Sequence, residues 1–162
     1  MRPNGIWSIA YGTERGTLAS ANADWTVSVW DIASGQQNAR LNTDIDSNKS
    51  LAFSPNGRTL ATNGYVSGGY RGLRLWDVSS GKLKTTLGPR RNDITNVAFS
   101  ADGRTIISAE INNLASVWDV PSGGLKSQFT LDKHTAGVRS IAVSPDFGTF
   151  ASASEDLSLI HI

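Results

Sequence analysis

Few side chains in this 162-residue chain are suited to chemistry. It has no cysteine and only two histidines, His134 and His161. A disulfide, a thiolate nucleophile, an iron–sulfur cluster and a cysteine zinc site are excluded, and most histidine-built metal sites lack ligands. Ser20, Ser152 and Asp156 are of the types found in nucleophilic triads. Each lies in or beside a stretch read below as β-strand, where a hydroxyl or carboxylate serves better as a buried hydrogen-bonding group. The glycines at 64, 68, 69 and 72 could cradle a phosphate, but no Gly-Lys-Ser/Thr follows them and no helix start is expected there. They are read as a long turn, and His134 as a structural loop residue. No catalytic group, cofactor or metal is expected.

The charge balance narrows the partners. With 15 basic and 14 acidic residues the net charge is +1, so the chain lacks the basic excess that displaces counterions from nucleic acid and the polybasic tract that seeks an acidic membrane. No run approaches the roughly 18 apolar residues of a membrane-spanning helix. No apolar signal core follows Met1-Arg2-Pro3-Asn4-Gly5. Neither nucleic acid nor membrane is therefore an expected partner, and the expected location is cytoplasmic.

The elements that position these residues are set by an internal repeat. Trp30-Asp31, Trp76-Asp77 and Trp118-Asp119 lie 46 and 42 residues apart, each with Ser-Gly three positions beyond the Asp. Ile9-Ala10-Tyr11, Leu51-Ala52-Phe53, Val97-Ala98-Phe99 and Ile141-Ala142-Val143 form a second set. The last three run into Ser54-Pro55-Asn56-Gly57, Ser100-Ala101-Asp102-Gly103 and Ser144-Pro145-Asp146-Phe147, sequences suited to tight hairpin turns. A third set is Thr17-Leu18-Ala19-Ser20, Thr59-Leu60-Ala61-Thr62, Thr105-Ile106-Ile107-Ser108 and Thr149-Phe150-Ala151-Ser152. The period-two patterns between turns predict an all-β protein of four repeats. In the third strand of the repeat, Val27 and Val29 alternate with Thr26 and Ser28, so one face is expected to pack and the other to remain polar.

These motifs resemble the WD40 repeat family over nearly the whole chain. The resemblance implies a β-propeller of four-stranded blades, beginning near Ile6, Lys49, Ile94 and Val138. Fourth strands are expected near residues 36–41, 82–87 and 125–130. The last blade is incomplete, so fifteen strands are expected. Residues 1–156 form the repeat segment. Residues 157–162 carry none of the repeat's landmarks and are read as an adapter-encoded tail or a degenerate strand. An open arc would leave an apolar face at each end and an unpaired strand edge over 158–162.

The resemblance also implies a buried network of a loop histidine, a second-strand Ser or Thr, a turn Asp and the third-strand Trp. Aligned by offset, the first blade offers Ser20, Asp24 and Trp30, with Arg2 for the histidine. The second offers Thr62 and Trp76, with Asp44 for the histidine and Tyr70 for the aspartate. The third offers Ser108, Asn112 and Trp118, with Arg90 for the histidine. The fourth offers His134, Ser152 and Asp156, with Ile162 for the tryptophan. The loops at one end of such a propeller gather Trp25, Tyr65, Tyr70, Arg71, Arg90 and Arg91, residue types enriched at binding hot spots, with Asp44 and Asp46 nearby. The function implied is a non-catalytic protein-interaction scaffold. The alternatives are a sensory or regulatory portion of a larger signalling protein, and self-association through open blade edges.

Overall fold

The computed structural model describes residues 5–12, 16–43, 50–65, 71–90 and 93–161; the side chains of residues 65, 89, 90, 160 and 161 fall outside that description. Within it lie fifteen strands and no helix, in four antiparallel sheets. The first sheet runs β1 (Ile6–Gly12), β2 (Thr17–Asn22), β3 (Thr26–Asp31), β4 (Gln37–Asn42), in chain order from one edge to the other. The second is β5 (Leu51–Phe53), β6 (Thr59–Tyr65), β7 (Arg71–Asp77), β8 (Leu83–Arg90), and the third is β9 (Ile94–Phe99), β10 (Thr105–Glu110), β11 (Leu114–Asp119), β12 (Leu125–Thr130). The fourth has three strands, β13 (Val138–Val143), β14 (Phe150–Ser154) and β15 (Leu159–His161). β15 pairs Leu159 with Ala153 and His161 with Ala151, the register in which Val27 and Val29 meet Ala21 and Ala19. It thus takes the third-strand place.

The turns explain the repeated motifs. Ser54, Ser100 and Ser144 each accept the backbone N–H of the Thr five residues on, at 2.9 Å, while bonding the Asn or Asp two residues on. The positive φ that closes this turn falls on Gly57, Gly103 and, in the last sheet, Phe147. After each Trp-Asp pair the carboxylate of Asp31, Asp77 or Asp119 accepts both the N–H and the hydroxyl of the Ser three residues on. At Asp77 the Ser79 hydroxyl adds the largest contribution, and together these bonds hold all three carboxyls below the usual range, Asp77 and Asp119 to about 2.

The core consists of three interfaces, each joining the rear face of one sheet to the front face of the next. In the first, Ala19, Ala21, Val27, Val29 and Leu41 meet Leu51, Leu60, Trp76 and Val78. In the second, Ala61, Leu73, Leu75 and Leu87 meet Val97, Ile106 and Trp118. In the third, Ile107, Ala109, Ala115 and Leu131 meet Val138 and Ile141. The polar face of β3 is not turned to water, because Thr26 and Ser28 are buried as well. The sheets do not close into a ring. The front of the first sheet is uncovered: Ile9 is 63% exposed, whereas Leu51, Val97 and Ile141 at the same repeat position are 9%, 5% and 6% exposed. Tyr11 and Ile32 share that open face.

Candidate functional site

Each of the first three sheets seats its tryptophan in the same way. The indole N–H of Trp30 donates to Ser20 (3.1 Å), that of Trp76 to Thr62 (3.0 Å) and that of Trp118 to Ser108 (2.9 Å). The front face of the second strand carries the hydroxyl, and the adjacent third strand carries the indole. A buried N–H thereby gains its partner.

Around this shared bond the four sheets differ. In the fourth, His134 Nε2 lies 2.8 Å from Ser152 Oγ, and Nδ1 lies 3.2 Å from Asp156 Oδ2 and 2.9 Å from Ser158 Oγ. The Asp156 carboxylate also accepts the N–H groups of Thr135 (2.7 Å) and Ser158 (2.9 Å). The Ser158 hydroxyl, its own N–H, Thr135 and the histidine hold the Asp156 carboxyl well below the usual range. Ser, His and Asp are thus connected as in a nucleophilic triad. However, Ser152 is fully buried and His134 is 4% exposed, so no substrate reaches the hydroxyl. The arrangement ties the loop to the strands.

In the first sheet Asn22 takes the bridging role: its amide donates to Thr26 (3.1 Å) and Ser28 (3.0 Å), and its oxygen accepts from Ser20 (3.2 Å). Asp24 is turned to the surface, where it accepts the Thr26 hydroxyl and pairs with Arg40. In the second sheet Arg74 lies over the Trp76 ring, 5.9 Å from its centroid, and donates to the Thr43 carbonyl at 3.0 Å. A Cβ at Gly64 would come within 2.8 Å of the Arg74 side chain, so Gly64 makes room for the arginine. In the third sheet Glu110, 1% exposed, accepts from Ser116 at 3.2 Å. Asn112 is exposed at the turn instead of joining the network, because the neighbouring Asn113 makes the inward contacts, to the His134 carbonyl and the Val138 N–H. Asn22 and Glu110 went unnoticed in the sequence. Their signal was a polar residue two places beyond the network Ser, on the same strand face.

Of the residues expected to be displayed, Trp25 stands at the β2–β3 turn with φ +70° and is 42% exposed. Its carbonyl accepts the Thr43 N–H (3.2 Å) and hydroxyl (2.7 Å), and Thr43 in turn is held by Arg74. Tyr65, Arg71 and Arg90 are brought level across β6, β7 and β8. The Arg71 side chain is 22% exposed and paired with Asp93 at 2.9 Å, so it bridges the start of β7 to the loop before β9 more than it is displayed. Tyr70 and Arg91, with Arg2, Asp44, Asp46 and Ile162, lie outside the described residues. Among the described residues no group of three His, Asp or Glu side chains could hold a metal ion.

The family pattern for the WD domain, G-beta repeat, matches residues 2–31, 81–119 and 125–160. A curated relative, WD repeat-containing protein SL1-17 of Schistosoma mansoni, is 29% identical over 152 residues, covering 94% of this chain and 48% of the relative. The chain spans about half the length of that relative. With the repeated sheets, the shared Trp–Ser/Thr seat and these matches in agreement, the chain belongs to the WD40 repeat family.

Proposed function

We propose that this chain is a non-catalytic protein-interaction scaffold that displays binding loops at the end of the blades carrying the β2–β3 and β6–β7 connections. WD40 repeat proteins are in general scaffolds of this kind. The observation that carries the reading is Trp25: a large aromatic side chain, 42% exposed, placed in a left-handed turn conformation that bulky residues seldom adopt. The turn is fixed from below by Thr43 and Arg74, so little ordering is needed when a partner binds. Trp and Arg are the side chains most often found at interface hot spots. The test compares partner capture by the wild type with capture by Trp25→Asn and by Trp25→Asn/Arg90→Ala. Asparagine suits the turn, as Asn113 shows at the equivalent place (φ +61°). Lost capture with unchanged β-sheet circular dichroism supports the reading, and undiminished capture overturns it.

The uncovered front of the first blade favours a second reading, self-association. Ile9, Tyr11 and Ile32 are 63%, 58% and 50% exposed, an apolar face of a type that proteins normally cover. Native mass spectrometry would show a discrete oligomer that Ile9→Ser/Tyr11→Ser disperses. A monomer at all concentrations would rule this reading out.

A further inference from the structure

At one end of each of the first three blades a threonine of the second strand lies opposite the aspartate of the Trp-Asp pair: Thr17 with Asp31, Thr59 with Asp77, and Thr105 with Asp119. Beside the tryptophan the fourth strand shifts register by one residue, and the residue passed over is Asn38, Lys84 and Lys126 in turn. In the second blade Lys84 Nζ donates to Thr59 Oγ1 at 3.1 Å, and its charge helps to lower the Asp77 carboxyl. In the third, Lys126 Nζ donates to Thr105 Oγ1 at 3.3 Å and pairs with Asp119 at 3.1 Å. One ammonium group thus serves both side chains.

The first blade has the threonine and the aspartate without the lysine. A cleft of about 520 Å³ lies there, lined by Thr17, Asp31 and Asn38 and by Val78 and Ser79 of the next blade. Thr17 is 5% exposed, and its hydroxyl has no hydrogen-bond partner among the described residues. The hydroxyl rests against Gly12, where a Cβ would be only 2.5 Å away; Ser54 and Ser100 hold that position in the later blades and leave no such room. One carboxylate oxygen of Asp31 is held by Ser34, and among the described residues Asp31 forms no ion pair. We propose that this cleft receives a primary alkylammonium group, the end of a lysine side chain from a partner polypeptide. The proposal rests on the reading of the chain as an interaction module and adds a second site, at the opposite end of the blade from Trp25. The ammonium donates to the free Asp31 oxygen and to Thr17, whose hydroxyl turns from Gly12 to meet it, so a buried group gains its missing partner. Val78 offers an apolar wall to the methylene stem, the part of a lysine that favours such surfaces. The occupant's chemistry is read from two blades of this same chain, each of which supplies a lysine to the same pair.

The probe is Nα-acetyl-L-lysine amide, titrated into the full chain while the Thr17 methyl, the Asn38 side-chain amide and the Ser34 backbone amide are followed by NMR. Saturable shifts of these signals are expected, larger than any at the turns of Asp77 and Asp119. Nα-acetyl-L-norleucine amide, which has the alkyl chain without the ammonium, should produce none. Asn38→Lys gives the first blade the residue that β8 and β12 already carry. It should keep the β-sheet circular dichroism and weaken binding by about tenfold or more, as should Asp31→Asn. Absence of saturable shifts overturns the proposal, as do equal shifts at all three turns or binding undiminished in both variants. Arg15 lies outside the described residues, so Arg15→Ala is titrated as well; binding seen only in that variant would mean that the chain fills the cleft itself, and overturns the proposal. Binding of butylamine without binding of the blocked lysine overturns the assignment to a polypeptide side chain. None of these outcomes bears on the Trp25 loop, whose test stands separately.

Discussion

Trp25 occupies a backbone conformation that costs a non-glycine residue about 1–2 kcal/mol and that asparagine tolerates. Replacing it with asparagine should therefore stabilise the fold by about 1 kcal/mol while removing the displayed ring. Thermal unfolding should record a rise of roughly 2–4 °C. A fall in Tm would show that the indole is held by packing, against the reading of a displayed side chain. Phe147, at φ +58° where the earlier blades have glycine, is a second strained position. The turn carboxylates make a prediction in pH. Asp77 is depressed from 3.8 to about 2 by the Ser79 hydroxyl and by the Ser80 N–H and hydroxyl, and Asp119 to about 2 by the Ser122 hydroxyl and N–H. The folded state binds these protons less readily than the unfolded state. The stability they contribute is present above about pH 4 and is lost as pH falls toward 2. Urea denaturation between pH 2 and 5 should show this decline, and Asp77→Asn should flatten it. An equal decline in the variant would assign the acid sensitivity to other groups.

Within a blade the second and third strands are joined by the bond from indole to hydroxyl as well as by the ladder. Ser108→Ala leaves the Trp118 N–H buried without its acceptor and should cost about 1–3 kcal/mol in urea denaturation. A cost near zero would mean that the indole finds another acceptor. The sequence showed these elements well. Trp-Asp spacing, alternating apolar residues and the Ser-Pro-Asn-Gly type of turn each reflect a short-range requirement of a hairpin and mark four all-β repeats; the count of fifteen strands came with the resemblance to the WD40 repeat. The remainder of the site depended on contacts between elements. Arg71 looked like a displayed cation, but its pairing with Asp93 is set by how β7 sits against the loop before β9. Asn112 held the expected offset, yet the turn at Asn113 faces it outward. Glu110, unnoticed in the sequence, joins the network because β11 places Ser116 beside it.

At the scale of the molecule, equivalent residues face different surroundings and should respond differently. Val97→Ser, made in a filled interface, should cost at least about 2 kcal/mol. Ile9→Ser, at the same repeat position on the open face, should change stability by no more than about 0.5 kcal/mol. Chemical denaturation of the two variants checks this, and equal losses would show that the front of the first blade is covered in solution. The interfaces always join the rear of one blade to the front of the blade that follows it in the chain. That polarity has a consequence for biosynthesis. A chain leaving the ribosome from its N-terminus presents each finished rear face before the next front face emerges. Every new blade therefore meets a ready template, and assembly can keep pace with translation in one direction. The growing end, however, always carries one apolar surface awaiting a neighbour, so a pause in translation at a blade boundary would be the moment at which this fold most needs a chaperone.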